Sequence, residues 1–195
     1  MTTAKKALED LTGEADPTEK TTDSLAAYTA AKDAAKAELT KAETVLKDES
    51  ATQEEVAAAV QAVNAKKAEL EKAKALLSDK MTDAQKAELE KVDEALAPAN
   101  LDGKTPKSVE AYNAAVAKLQ SDIDATKAKA KEVVGKGDNA TKAEATETQV
   151  KLAELKAKLA EAKALLKDKS NKAELTTAKE ELDTLAKAED PTVGK

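Results

Sequence analysis

The stretch Lys20-Thr21-Thr22-Asp23-Ser24-Leu25-Ala26-Ala27-Tyr28 recurs, 84 positions later, as Lys104-Thr105-Pro106-Lys107-Ser108-Val109-Glu110-Ala111-Tyr112. The only two tyrosines of the chain fall at the same place in both copies. Self-similarity of this kind marks a repeat architecture. Working outward, Glu69-Leu70-Glu71-Lys72-Ala73-Lys74-Ala75-Leu76-Leu77 matches Lys158-Leu159-Ala160-Glu161-Ala162-Lys163-Ala164-Leu165-Leu166, now at a separation of 89. The second copy has thus gained five residues between the anchors. Lys86-Ala87-Glu88-Leu89 returns as Lys172-Ala173-Glu174-Leu175, and Asp16-Pro17-Thr18 as Asp190-Pro191-Thr192. The expected organisation is one repeat over residues 1–81, a second over 82–169, and the first helix of a truncated third over 170–195. On this reading the chain is a piece of a longer array.

Each repeat reads as three helices. In the second copy Val109, Tyr112, Val116, Leu119, Ile123, Thr126, Ala130 and Val133 alternate at spacings of three and four, one apolar seam on a helix. The first copy gives Leu25, Tyr28, Lys32, Ala35, Leu39, Ala42 and Leu46. The following helices carry Val56, Ala59, Val63, Lys66, Leu70, Ala73 and Leu77, and Ala145, Thr148, Leu152, Leu155, Leu159, Ala162 and Leu166. A shorter helix precedes each pair, with Ala4, Leu8 and Leu11 in the first copy and Leu89, Val92 and Leu96 in the second. Leu175, Ala178, Leu182 and Leu185 begin the third. Lys32 and Lys66 interrupt the seams of the first copy and are expected to snorkel. The first copy should therefore be the less stable of the two.

The starts of these helices are marked by capping residues. Thr52, Thr82, Thr141 and Asn171 each stand three residues before a Glu or Gln, the spacing of a capping box. Thr105 precedes a proline at the first helical position, and Thr21 is its counterpart. Gly13, Pro17, Pro98 and Gly103 interrupt the chain after the short helices, and Gly135, Gly137 and Asp138 after the long helix of the second copy. Short connections make successive helices antiparallel neighbours. The expected fold is all-α: tandem antiparallel three-helix bundles stacked end to end as an elongated rod, on the order of 80–100 Å long at 1.5 Å per residue.

Composition narrows the chemistry. The 195 residues include no His, Cys, Trp, Phe or Arg. That removes imidazole chemistry, thiolate metal sites, disulfides and bidentate guanidinium clamps. An enzyme is therefore not expected, nor a cofactor. Alanine fills 44 positions, while Leu, Ile and Val together fill only 32. A fraction so low approaches that of disordered chains, but disorder gives no reason for regular seams. The net charge of −6 offers no bulk attraction to nucleic acid. No stretch approaches the ~18 apolar residues of a membrane span, and the start shows no signal-peptide core.

The pattern Thr-x-x-Ser-Leu-x-x-Tyr-x-x-Ala from Thr21, then Val45-Leu46-Lys47-Asp48 and Ala51-Thr52-Gln53-Glu54-Glu55-Val56, resembles the FIVAR module. The resemblance covers both full copies, roughly residues 1–169, and the beginning of a third; it is looser in the second, where Lys142-Ala143-Glu144-Ala145 replaces Gln-Glu-Glu-Val. Leu25 and Val109 sit where the family often has an aromatic residue. The family occurs as tandem three-helix bundles in cell-wall surface proteins of Gram-positive bacteria, among them giant extracellular-matrix-binding adhesins. The resemblance implies a secreted, wall-anchored stalk, monomeric and without catalytic residues, whose signal peptide and anchor lie elsewhere in the protein. Its alternative implication is a module that itself binds a host extracellular-matrix protein or glycan.

Lys127, Lys129, Lys131 and Lys136 are the candidate ligand contacts, a basic run that could attract sulfated glycosaminoglycan. The same lysines also sit favourably near a helix C-terminus. Lys151, Lys156, Lys158, Lys163, Lys167 and Lys169 alternate with Glu154 and Glu161 and read as a solvated face. Tyr28 and Tyr112 could be ligand platforms, but both lie in a seam and read as core. Asn139-Ala140-Thr141 spells a glycosylation sequon, with Thr141 already explained as a helix cap.

Overall fold

The computed structural model describes residues 1–170 and 172–188. Helices α1 (Thr2–Thr12), α2 (Thr22–Lys47), α3 (Gln53–Ala75), α4 (Asp83–Glu90), α5 (Val92–Ala95), α6 (Pro106–Gly135), α7 (Lys142–Ala164) and α8 (Ala173–Ala188) account for most of the chain. A 3₁₀ turn spans Gly137–Asn139. Among the described residues there is no β-strand, only isolated bridge pairs, and the fold is all-α. Ala, Lys, Glu and Leu dominate these segments and favour helix intrinsically. Three capping boxes form as spelled: Thr52 with Glu55, Thr82 with Gln85, and Thr141 with Glu144. Pro106 opens α6, whose 30 residues extend ~45 Å at 1.5 Å per residue.

Helices α1, α2 and α3 pack on one another, and α4, α6 and α7 do the same. Each group has its own apolar core. The first is built on Leu8, Tyr28, Ala35, Leu39, Ala42, Val63 and Leu70. The second is larger and includes Leu89, Val92, Leu96, Ile123, Val133, Leu152 and Leu155, with Met81 joining it from the connecting segment. Ala35, Ala130 and Ala145 are fully buried, so helix backbones approach closely at these points. Both tyrosines are buried in the cores, each 2% exposed. The Tyr112 hydroxyl accepts the Ala99 N–H at 2.8 Å and so holds the loop after α5.

Several expectations need correcting. Leu46 is 44% exposed, because α2 ends at Lys47 and its last turn has little opposite it. The short helix of the second copy is not continuous: Lys91, at φ −88° and ψ 11°, separates α4 from α5. Leu89, Val92 and Leu96 nevertheless all stay buried. Lys32 does not snorkel. Its ammonium donates to the Glu14 carbonyl at 2.7 Å and to Asp16 at 2.6 Å, and the residue is 6% exposed. The loop after α1 folds over it, so the lysine ties that loop to α2. The nearby ammonium holds the Asp16 carboxyl below its ordinary value, and that pairing raises Lys32. Lys66 does reach outward, to Glu69 at 2.7 Å. Thr21 and Thr105 occupy N-cap positions, but their hydroxyls donate to Ser24 and Ser108 and leave the helix amides uncapped by their own threonine. The cap expected at Asn171 and the Asp190-Pro191-Thr192 stretch lie outside the described residues.

Glu19 adopts φ +56°, and its repeat counterpart Gly103 adopts φ +70°. A side chain in this left-handed region meets its own backbone, whereas glycine does not. Glu19→Gly is therefore expected to stabilise the protein by ~1 kcal/mol, read as a rise in the urea midpoint at unchanged slope.

Candidate binding surface and the joint between the helix groups

The four candidate lysines lie on the last turns of α6 and just past it. They do not form one open cationic face. Lys127 and Lys131, one turn apart, both reach Asp93 of α5, at 3.4 and 2.8 Å. Lys129 pairs with Glu132 at 2.9 Å. Lys136 bridges Glu132 at 3.4 Å and Glu144 at 2.5 Å. All four ammonium groups thus have a carboxylate beside them. The acids respond accordingly: Asp93 is lowered, chiefly by Lys131, and Glu132 chiefly by Lys129.

Glu144 responds most. The Lys136 ammonium, the Thr141 N–H and the Thr141 hydroxyl together bring its carboxyl from the ordinary 4.5 to about 2. A carboxyl depressed on folding contributes stability in full above its unfolded value and loses it as pH falls through its folded value. Stability is therefore expected to decline between pH 4.5 and about 2. Glu144→Gln should flatten that decline in urea titrations at pH 7 and pH 3.

Between α6 and α7 runs an open groove of about 330 Å³, with Thr126, Thr148 and Leu155 at its floor and Lys129, Lys151, Lys158, Asp122, Glu147 and Glu154 along its sides. Its rim mixes both signs of charge and offers no field to one kind of ion. Among the described residues no three acidic side chains come together as a metal site. Among them, too, no helix is long and apolar enough to cross a membrane.

The most organised polar arrangement lies elsewhere, where residues 78–81 run between the two helix groups. On one side this segment pairs with the start of α2. Thr21 N–H donates to the Ser78 carbonyl at 2.9 Å, Lys80 N–H donates to the Glu19 carbonyl at 2.8 Å, and Lys20 meets Asp79 at 2.5 Å. On the other side it pairs with the start of α7. Met81 N–H donates to the Ala140 carbonyl and Lys142 N–H to the Asp79 carbonyl, both at 2.8 Å. Lys80 adds an ion pair with Asp138 at 3.3 Å. Asn139 completes the joint: its Oδ1 accepts the Asp23 N–H at 2.9 Å. Asp23 is the second residue of α2, one of the amides that no intrahelical carbonyl can reach. The cap that Thr21 does not supply comes from the other helix group. Asn139, the asparagine of the sequon, is engaged in this contact.

The inner half of the joint is built twice. Thr105 N–H donates to the Lys167 carbonyl, Lys169 N–H donates to the Gly103 carbonyl, and Lys104 meets Asp168 at 2.5 Å. Sequence reading alone missed both joints. One signal was present: Lys20 and Asp79 keep the repeat separations, 84 and 89, to Lys104 and Asp168.

Comparison with known proteins adds one family. The model of the FIVAR domain matches residues 4–71, which span most of α1, all of α2 and most of α3. No curated protein matches the chain, and no solved structure matches it. The match ends within α3 and does not extend to the second helix group. Residues 4–71 of this chain, within the first three-helix group, are thus similar to the FIVAR domain.

Proposed function

We propose that the chain is a non-catalytic spacer: a stalk segment of a cell-surface adhesin that holds a ligand-binding domain away from a bacterial cell wall. FIVAR domains are modules of surface proteins, which supports the location. The observation that carries the spacer role is the joint. Residues 78–81 hydrogen-bond to both helix groups, and Asn139 of one caps a helix of the other. A linker meant to swivel has no need of such bonds. Helices set end to end through such joints give reach by repeat number and stiffness by nearest-neighbour contact. On this reading the protein extends as a rod.

Direct binding to a host matrix protein or glycosaminoglycan is the competing role. An interface usually needs a desolvated aromatic or apolar anchor. Here both tyrosines are buried, and the four candidate lysines are paired with acids. Titrating the chain against immobilised heparin and a panel of matrix proteins separates the two. The spacer reading expects no saturable binding; micromolar binding at physiological salt to any one of them would overturn it.

A further inference from the structure

The joint at residues 78–81 has a counterpart at residues 167–170 whose outer side meets no other described residue. In the first joint four groups face the second helix group: the Asp79 carbonyl, the Met81 N–H, the Lys80 ammonium and the Asp23 N–H of α2. They meet, in turn, the Lys142 N–H, the Ala140 carbonyl, Asp138 and Asn139. At the repeat separations their counterparts are the Asp168 carbonyl, the Ser170 N–H, the Lys169 ammonium and the Lys107 N–H of α6. The inner contacts of this second edge are already made, by Lys104, Thr105 and Gly103. No described residue takes up any of the four outer groups. The backbone is thus held in the shape that, one repeat earlier, receives a neighbour.

The helices downstream of the two edges differ in the same sense. After the first edge the chain enters α4 and α5, and Leu89, Val92 and Leu96, the residue just past α5, are buried in the second core. After the second edge it enters α8, whose Leu175, Leu182 and Leu185 are 72, 66 and 61% exposed. An amphipathic helix of this kind is stable as part of a packed group rather than alone.

We propose that residues 168–170 and the N-terminus of α6 form a docking face for one further three-helix module, the one whose first helix is α8. The face specifies its partner's chemistry. The connection between that module's two long helices must place an acid against Lys169 and a side-chain acceptor, Asn, Asp or Ser, against the Lys107 amide. It must also present a carbonyl to Ser170 and an amide, two residues on, to the Asp168 carbonyl. The chain's first helix group carries such a connection in Glu49, Ser50, Ala51, Thr52 and Gln53, 89 positions before Asp138 to Lys142, so the chemistry recurs within one sequence. This inference rests on the spacer reading, and it adds what selects each neighbour.

The test extends the chain: residues 82–170 are placed directly after Ser170, replacing 171–195, and amide exchange is compared with the unaltered protein. In the unaltered protein Met81 and Asp23 should exchange slowly and Ser170 and Lys107 rapidly. In the extended chain Ser170 and Lys107 should slow at least tenfold. Ala in place of the added copy's asparagine, the counterpart of Asn139, should return Lys107 to rapid exchange. Unchanged exchange at Ser170 and Lys107 in an extended chain that has gained the added helix content would overturn the proposal. So would an added module that stays unfolded, since the same residues fold on the equivalent edge of the first group. Neither result bears on matrix binding, so the spacer reading stands or falls separately.

Discussion

Leu70→Ala and its repeat counterpart Leu159→Ala are each expected to cost ~3 kcal/mol of stability, within the ~2–5 kcal/mol range for emptying a buried leucine site. Both side chains are essentially solvent-free. The cost includes lost transfer energy and a cavity that rigid neighbours do not fill. Alanine-rich seams make the second term large, since an alanine cannot swing into a neighbouring void. Domains of this size are stable by only ~5–15 kcal/mol, so one such change removes a sizeable share. The effect should be felt more in the first group, whose core relies on fewer large side chains: Leu8, Tyr28, Leu39, Val63 and Leu70. Urea unfolding followed by circular dichroism measures it. A cost under ~1 kcal/mol at both sites would mean that the helices collapse onto the gap and that the cores are not rigidly packed.

The second large effect concerns the joint. Asn139→Ala removes the one side-chain cap that a described residue gives α2, a loss of ~1 kcal/mol. Lys142→Pro deletes the N–H that reaches the Asp79 carbonyl, for about another 1 kcal/mol. Proline is tolerated there, because Lys142 is the first residue of α7 and Thr141 before it is already extended, at φ −85° and ψ 149°. The double variant should therefore keep both cores and lose ~2 kcal/mol of coupling between them. The unaltered protein is expected to unfold in one transition, and the double variant in two, the first helix group melting before the second. Asn139→Asp alone retains an acceptor at the N-terminus of α2 and should preserve the single transition. Two transitions already present in the unaltered protein would show that the joint carries little energy.

The helices were legible in the sequence because their determinants are local. Seam spacing and capping boxes depend on residues three and four apart, and Thr52, Thr82 and Thr141 cap where their spelling says. Lys32 was misread because its partners, the Glu14 carbonyl and Asp16, come from a loop whose path no periodicity encodes. The break at Lys91 leaves the seam intact and so leaves no trace in the pattern. The joint was invisible for a further reason. Backbone groups of residues 79 and 81 pair with residues 140 and 142, and backbone bonds across such a separation have no side-chain signature. Asn139 spells a sequon in the sequence, whereas in the fold it caps a helix far away in sequence. The four lysines are visible as a run; Asp93, which pairs with Lys127 and Lys131, is not, because it lies on a different helix.

If the joint holds the two helix groups as one rigid piece, the distance between them is fixed. The chain has no cysteine, so a pair of introduced cysteines takes spin labels at defined sites only. Asn64 on α3 and Ala157 on α7 are exposed and suit the purpose. Pulsed electron-electron distance measurement between labels at Asn64→Cys and Ala157→Cys should give a single narrow distribution. The same pair in the Asn139→Ala, Lys142→Pro background should give a broad one. A broad distribution in the chain with its joint intact would contradict the account, because the helix groups would then swivel freely and the spacer could not hold its reach.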